Sequence, residues 1–196
     1  GGLDDAEAKQ LAQKATENAE AQAEYQAGRR EWDKRSKQGF DNAIKHFEKA
    51  IELDPNYADP YVGLADTFGL ISGYNFASAN EAMPKAKSYA EKAIEINPDL
   101  AGAYTSLGWV YVNYEYDWAA EDFSFRKSIQ LNPNYATANH WFGLYLSNIG
   151  KHNEAIASVK KAAELDPQSM IIQSSLGQVH IIAGRHDEAS KYVDRA

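Results

Sequence analysis

The 196-residue chain contains no cysteine. That excludes a disulfide framework and a thiolate metal site, and it fits a reducing or an oxidising compartment equally. No run of 18 apolar residues occurs, so nothing in the sequence reads as a membrane-spanning helix. No secretory signal is visible. Positive charge is in deficit: 20 Lys and Arg face 28 Asp and Glu, for a formal net charge of −8. Such a balance disfavours nucleic acid and anionic membrane as main partners. The densest basic run, Arg29, Arg30, Lys34, Arg35 and Lys37, is short and reads as a solvated helix face.

Catalytic signatures are missing as well. No pair of histidines has HExxH spacing, and no GxSxG, Walker or GxGxxG motif is present. Of the five histidines, His152 and His186 recur 34 residues apart at one expected inter-helix turn, which argues for a structural role over a metal site. Carboxylate pairs such as Asp4-Asp5 and Glu121-Asp122 fall on predicted helix surfaces without a shared cleft. These absences lead to the expectation of a chain that is not an enzyme and holds no metal and no cofactor.

Proline is scarce, at six residues, and four of the six are regularly placed. Each sits in a recurring phrase: Leu53-Asp54-Pro55-Asn56-Tyr57, Ile96-Asn97-Pro98-Asp99-Leu100, Leu131-Asn132-Pro133-Asn134-Tyr135 and Leu165-Asp166-Pro167-Gln168-Ser169. The prolines are 43, 35 and 34 residues apart. A period near 34 marks an array of helix pairs, which offers an extended surface rather than a buried catalytic pocket.

Within each period the spacing is helical. Tyr104, Leu107, Gly108 and Tyr111 follow an i, i+3, i+4, i+7 stripe. Phe142, Gly143 and Leu146 occupy corresponding places in the next period, and Tyr61, Leu64, Ala65 and Phe68 in the preceding one. A small residue on the first helix (Ala65, Gly108, Gly143 or Gly177) lets it approach the second closely. Ala43, Phe47 and Ala50, then Ala86, Ala90 and Ala93, then Ala155, Val159 and Ala162 mark the second helices. Asp or Asn before proline is pushed out of the α region, so the second helix stops there. Asn or Asp after the proline suits the start of the next helix.

Several departures carry expectations. The second period has nine extra residues, placed at 71–83, with Tyr74 and Phe76 exposed and Ser78 or Asn80 capping the following helix; Pro84 is then expected in its first turn. In the third, Glu121 stands where a small alanine is usual, with Ala119 and Ala120 available to absorb it by a register shift. In the first, residues 35–39 are expected to form a longer turn. Residues 1–19 read as an N-terminal helical cap or linker, and 20–196 as the array, with repeats near 20–56, 57–99, 100–134, 135–168 and 169–196. The last repeat breaks off in its second helix, and Gly1-Gly2 reads as a cloning remnant.

The spacings quoted match W-x2-L-G-x2-Y…A-x3-F…P, and over residues 20–196 the chain resembles the tetratricopeptide-repeat family. The phrase Gly28-Arg29-Arg30-Glu31-Trp32 and the stretches 58–66 and 134–141 resemble, more narrowly, the repeat regions joined to bacterial serine/threonine kinase, adenylate cyclase or winged-helix regulator domains. The resemblance implies an all-α, right-handed α-α superhelix of four full repeats and a truncated fifth. It also implies an interaction module whose first helices line a concave groove. On that basis the candidate peptide-groove residues are Thr105, Trp109, Asn113, His140, Trp141, Leu144, Asn148 and Gln178. Trp109 and Trp141 have an alternative place in the packing between repeats. The carboxylate clamp by which some family members grip chaperone C-termini is absent: its positions hold Asp59, Val62, Asp66, Thr105, Ser106, Trp109 and Leu144.

Three functional expectations follow. The first is binding of a protein or peptide partner in the groove, within a bacterial signalling or regulatory protein, inside the cell or on the outer side of a membrane-anchored protein. The second is a structural spacer that self-associates through the apolar surface of the last repeat, including Ile171, Ile172, Ile181 and Val193. The third is a small-molecule sensor with the segment around Tyr74 and Phe76 as a lid.

Overall fold

The structure is a computed structural model that describes residues 16–193. Ten α-helices and no strand occur among the described residues. In chain order they are α1 (Ala19–Trp32), α2 (Lys37–Leu53), α3 (Ala58–Gly73), α4 (Ala79–Ile96), α5 (Ala101–Val110), α6 (Trp118–Leu131), α7 (Ala136–Asn148), α8 (His152–Leu165), α9 (Met170–Ile182) and α10 (His186–Val193). A π-helical turn, Tyr111–Glu115, extends α5. The helices pack as successive pairs, α1 with α2 through α9 with α10. They fall into two compact units that meet in sequence between Pro98 and Asp99. The expected cap at 1–19 lies outside the described residues up to position 15.

Each pair is held by its small residues. A Cβ on Gly143 would lie 2.5 Å from Val159 Cγ2, and one on Gly108 would lie 2.9 Å from the Phe125 ring. The second helices fill the gap so created: Phe47, Phe125 and Val159 are fully buried. In the first unit Phe40, Phe47 and Leu64 form the centre of the core. In the second, Val159, Ala162, Ile172, Leu176 and Val179 make one apolar cluster, with Leu144 and Tyr192 against it.

The proline phrases end α2, α4, α6 and α8 as the sequence predicts. Asp54, Asn97 and Asn132 are extended, Asp54 at φ −148° and ψ 94°, and Asp166 has left the α region at φ −133° and ψ 79°. The restart differs from expectation. The caps of α3, α5 and α7 are Tyr57, Leu100 and Tyr135, none of which makes a side-chain capping bond. The polar residue ahead of the proline does the local work instead. Asp54 Oδ1 accepts from Asn56 N, and Asn132 Oδ1 from Asn134 N, each at 3.0 Å, closing a turn over the proline. The cap position is thereby released for packing, and Tyr57 sets its ring edge-on against Tyr25 at 5.4 Å.

Three further expectations are corrected. The turn between α1 and α2 is short: α2 begins at Lys37, and Ser36 caps it by accepting from Gly39 N at 3.1 Å. The extra residues of the first repeat lengthen α2 to 17 residues rather than the turn. Glu121 is not displaced by a register shift; it takes the small-residue position with its side chain fully buried. Pro84 lies inside α4, in its second turn, because that helix starts at Ala79.

The nine extra residues of the second repeat do not form a single loop. Against the α7–α8 pair, α3 is three residues longer, the linker two longer and α4 four longer. The five-residue linker 74–78 bends through Asn75 in the left-handed region at φ 56°. At the matching place after α7 stands Gly150, at φ 78°. Both turns donate back five residues, Phe76 N to Ile71 O at 3.0 Å and Lys151 N to Leu146 O at 2.9 Å.

Candidate functional site

Repeat spacing puts residues of α5, α7 and α9 in register. Trp109, Leu144 and Gln178 share one position of the repeat, and Asn113, Asn148 and Ile182 share another. Exposure grows along the first row: Trp109 and Leu144 are half-buried and Gln178 is exposed. In the second row all three are exposed. Asn113 donates to Trp109 O at 2.8 Å, so its amide partly serves the π-helical turn that carries it.

The remaining candidates lie beneath this surface. Thr105 is fully buried and exchanges a hydrogen bond with Ser128 Oγ at 2.7 Å. His140 is buried, and its Nε2 stands 2.8 Å from Ser175 Oγ, joining α7 to α9. Trp141 is buried against Trp109, with ring centroids 4.6 Å apart. The pair takes the alternative that the sequence left open, packing between successive first helices. Trp109 Nε1 is covered and has no acceptor in the structure. Thus Trp109, Asn113, Leu144, Asn148 and Gln178 supply the reachable surface, and Thr105, His140 and Trp141 its support.

The first unit presents a different surface. Val62, Asp66 and Leu70, at groove positions of α3, are all buried. Asp66 accepts from Arg29 Nη1 at 3.0 Å, with its own side chain fully covered. Burial raises the carboxyl pKa of neighbouring Asp59. The basic run noted in the sequence is largely engaged internally. Arg29 and Arg35 lie on the Trp32 ring at 4.1 and 3.4 Å, Lys34 pairs with Glu31, and Lys37 pairs with Asp41 at 3.0 Å.

A cleft lies in the first unit beside the 74–78 linker. It has a volume of about 410 Å³ and is lined from α2, α3, the linker and α4. Its sequence signals were the nine-residue excess and the aromatics Tyr74 and Phe76 within it, of which Phe76 lines the cleft. Among the described residues no cluster of three or more His, Asp or Glu could hold a metal ion, and no helix is long and apolar enough to cross a membrane.

Comparison with known proteins gives these surfaces a family. A family pattern described as TPR repeat matches residues 34–70, and one described as tetratricopeptide repeat matches residues 124–157. Anaphase-promoting complex subunit 3 of Schizosaccharomyces pombe is 29% identical over 147 residues, covering 75% of this chain and 21% of that protein. Transcriptional regulator HilA of Salmonella typhimurium is 23% identical over 143 residues, covering 73% of this chain and 26% of that protein. The chain therefore spans about a fifth to a quarter of the length of these relatives. Among solved structures, a thermophilic TPR protein of Thermus thermophilus superposes with a TM-score of 0.69 at 23% identity, covering 90% of this chain and 89% of that one. YrrB, a TPR protein with an unusual peptide-binding site, superposes with a TM-score of 0.50 at 23% identity, covering 96% and 90%. At that identity the likeness shows the fold: all-α and of the superhelical repeat type. Repeat spacing, paired-helix packing and these matches agree, and the chain is a tetratricopeptide-repeat protein.

Proposed function

We propose that this chain is a protein-interaction module that binds an extended peptide segment across α5, α7 and α9. The observation that carries the reading is the pair of rows at fixed repeat positions, Trp109, Leu144 and Gln178 in one and Asn113, Asn148 and Ile182 in the other. Two physical features favour a peptide there. The amides of Asn148 and Gln178 are exposed and able to bond a peptide backbone, while Trp109 and Leu144 supply half-buried apolar area for side chains. The support beneath is rigid: the Trp109–Trp141 contact and the His140–Ser175 bond tie successive helices. A surface fixed before binding loses less entropy on association. YrrB, described as having a peptide-binding site, supports the class of ligand. The similarity to a transcriptional regulator, together with the narrower sequence resemblance, supports a place in a bacterial regulatory or signalling protein.

The test is capture of partners from bacterial lysate by the wild type and by Asn148→Ala/Gln178→Ala, with helix content checked by circular dichroism. Both residues are exposed, so the variant keeps its fold. A partner held by the wild type and lost by the variant supports the reading; equal capture by both removes recognition from this face.

A second reading rests on the same helix. Met170, Ile171, Ile181 and Ile182 of α9 are 53, 40, 48 and 45% exposed. Such a cluster suits self-association. Molar mass measured across a hundredfold concentration range tests it, and a constant monomer mass excludes it.

A further inference from the structure

We propose that the cleft beside the 74–78 linker binds an uncharged aromatic small molecule. The proposal stands apart from the peptide reading, since the cleft lies wholly within the first unit. Its volume of about 410 Å³ falls within the about 300–1,000 Å³ usual for small-molecule pockets. Phe40 and Ile44 of α2, Phe68 and Ile71 of α3 and Phe76 of the linker form its apolar lining. Ile44 and Phe68 are half-buried and Phe76 is 38% exposed, so the chain itself leaves apolar area in the cleft uncovered. A ligand body placed there gains by displacing water. The rings favour an aromatic body. Phe76 stacks on Tyr74 at 5.9 Å and stands tilted to Phe40 at 6.2 Å, and Phe68 stacks on Tyr89 at 5.8 Å. Ring contacts of this kind add to what burial alone supplies, and a ligand ring extends them. The cleft also belongs to the second repeat's departure from the common period: Ile71, Phe76, Ala77, Glu81 and Ala82 line it, and all five lie within 71–83.

The charges around the cleft cancel. Lys37 and Lys85 stand against Asp41 and Glu81, for a net charge of zero in the lining. Lys37 and Asp41 are paired at 3.0 Å. On α4, Glu81 and Lys85 are four residues apart; the Glu81 carboxylate accepts the Ser78 hydroxyl at 2.8 Å, and Lys85 Nζ is 5.2 Å from the centroid of Phe68. A bound ion of either sign would give up hydration without finding a surplus of opposite charge in return. An uncharged ring loses no such hydration and keeps the whole gain of covering Ile44, Phe68 and Phe76. A single hydroxyl on it is satisfied at the rim, by water or by the side chains already there.

The probe is naphthylmethanol, titrated into the isotopically labelled chain and read by amide chemical shifts, with naphthoate and naphthylmethylammonium as the anionic and cationic controls on the same ring system. The expected result is saturable shifts confined to residues of α2, α3, the linker and α4 that line the cleft, with the alcohol bound more tightly than either ion. Phe76→Ala, at an exposed ring, is expected to weaken naphthylmethanol binding about two- to tenfold, the range for one aromatic contact. Ala77→Trp, which sets a large ring in the cleft, is expected to abolish it while helix content stays constant. Lys85→Gln, an exposed substitution, leaves the lining with a net charge of −1. It is expected to leave naphthylmethanol affinity unchanged and to strengthen naphthylmethylammonium binding by up to about fivefold, the range for a solvent-exposed charge. Absence of saturable shifts, binding of either ion as tight as that of the alcohol, or undiminished binding by Phe76→Ala or Ala77→Trp overturns the proposal. Movement of the cleft signals with protein concentration and not with naphthylmethanol also overturns it, by assigning the cleft to a second copy of the chain.

Discussion

At the scale of single residues, Glu121 is the sharpest departure from the repeat pattern. Its side chain is fully buried, and neither carboxylate oxygen has a hydrogen-bond partner. Burial pushes its pKa up to about 8, and the negative charge of Asp122 adds to the rise. The folded state therefore holds a proton that the unfolded chain releases near the ordinary carboxylate value. The linkage has one sign. Glu121's contribution is full below that ordinary value, and it falls by roughly 1.4 kcal/mol per pH unit as pH rises toward 8. Thermal melts from pH 5 to 8 are predicted to show wild-type stability declining relative to Glu121→Ala, which restores the small residue usual at this position. Parallel pH profiles for the two proteins would contradict the assignment. Gly143 gives a second prediction at this scale. A Cβ there meets Val159 Cγ2 at 2.5 Å and two backbone atoms at 3.1 Å, so the backbone has to move. Gly143→Ala is expected to lose about 1–3 kcal/mol in urea unfolding. Gly73, with open space around its Cβ position, is the control for overpacking.

At the scale of elements, Pro84 removes the backbone donor that would serve the carbonyl of Asn80 within α4. Pro84→Ala is expected to raise stability by about 1–3 kcal/mol, and denaturant unfolding measures it directly. Ser36→Ala deletes the side-chain bond at the start of α2 and is expected to cost about 1 kcal/mol. These elements also show what the sequence could convey. Helix ends were legible because Asp or Asn before proline acts on its own backbone, without help from the rest of the fold. Close helix pairs were legible because Gly108 and Gly143 recur at helical spacing. The starts of α3 and α7 were not, since Tyr57 and Tyr135 make no capping bond and Tyr57 instead packs on Tyr25, whereas Ser169 caps α9 by accepting from Ile172 N. The second repeat's added residues were visible as a number. Their division among α3, the linker and α4 was not, because it depends on how far each helix finds a wall to lie on. For the site, repeat position gave the rows of α5, α7 and α9. It did not separate Gln178, which is exposed, from His140, whose orientation is set by Ser175 across 35 residues of sequence.

At the scale of the whole molecule, the two units divide the available surface. In residues 1–98 the groove positions of α3 are closed by burial and by the Arg29–Asp66 pair, and the open feature is the cleft beside the linker. In residues 99–196 the corresponding positions carry exposed amides beside half-buried apolar groups. The proposed peptide site accordingly lies in the second unit. Lys85→Gln, in the first unit, is therefore expected to leave peptide affinity unchanged. The most direct measurement selects linear peptides on the wild-type chain from a displayed library. The best binder is then titrated by calorimetry into the wild type, Lys85→Gln and Asn148→Ala/Gln178→Ala. The account predicts equal affinity for the first two and at least about tenfold weaker binding by the third, the effect of losing about 1.4 kcal/mol. Equal affinity for all three would contradict it and place recognition away from the faces of α5, α7 and α9.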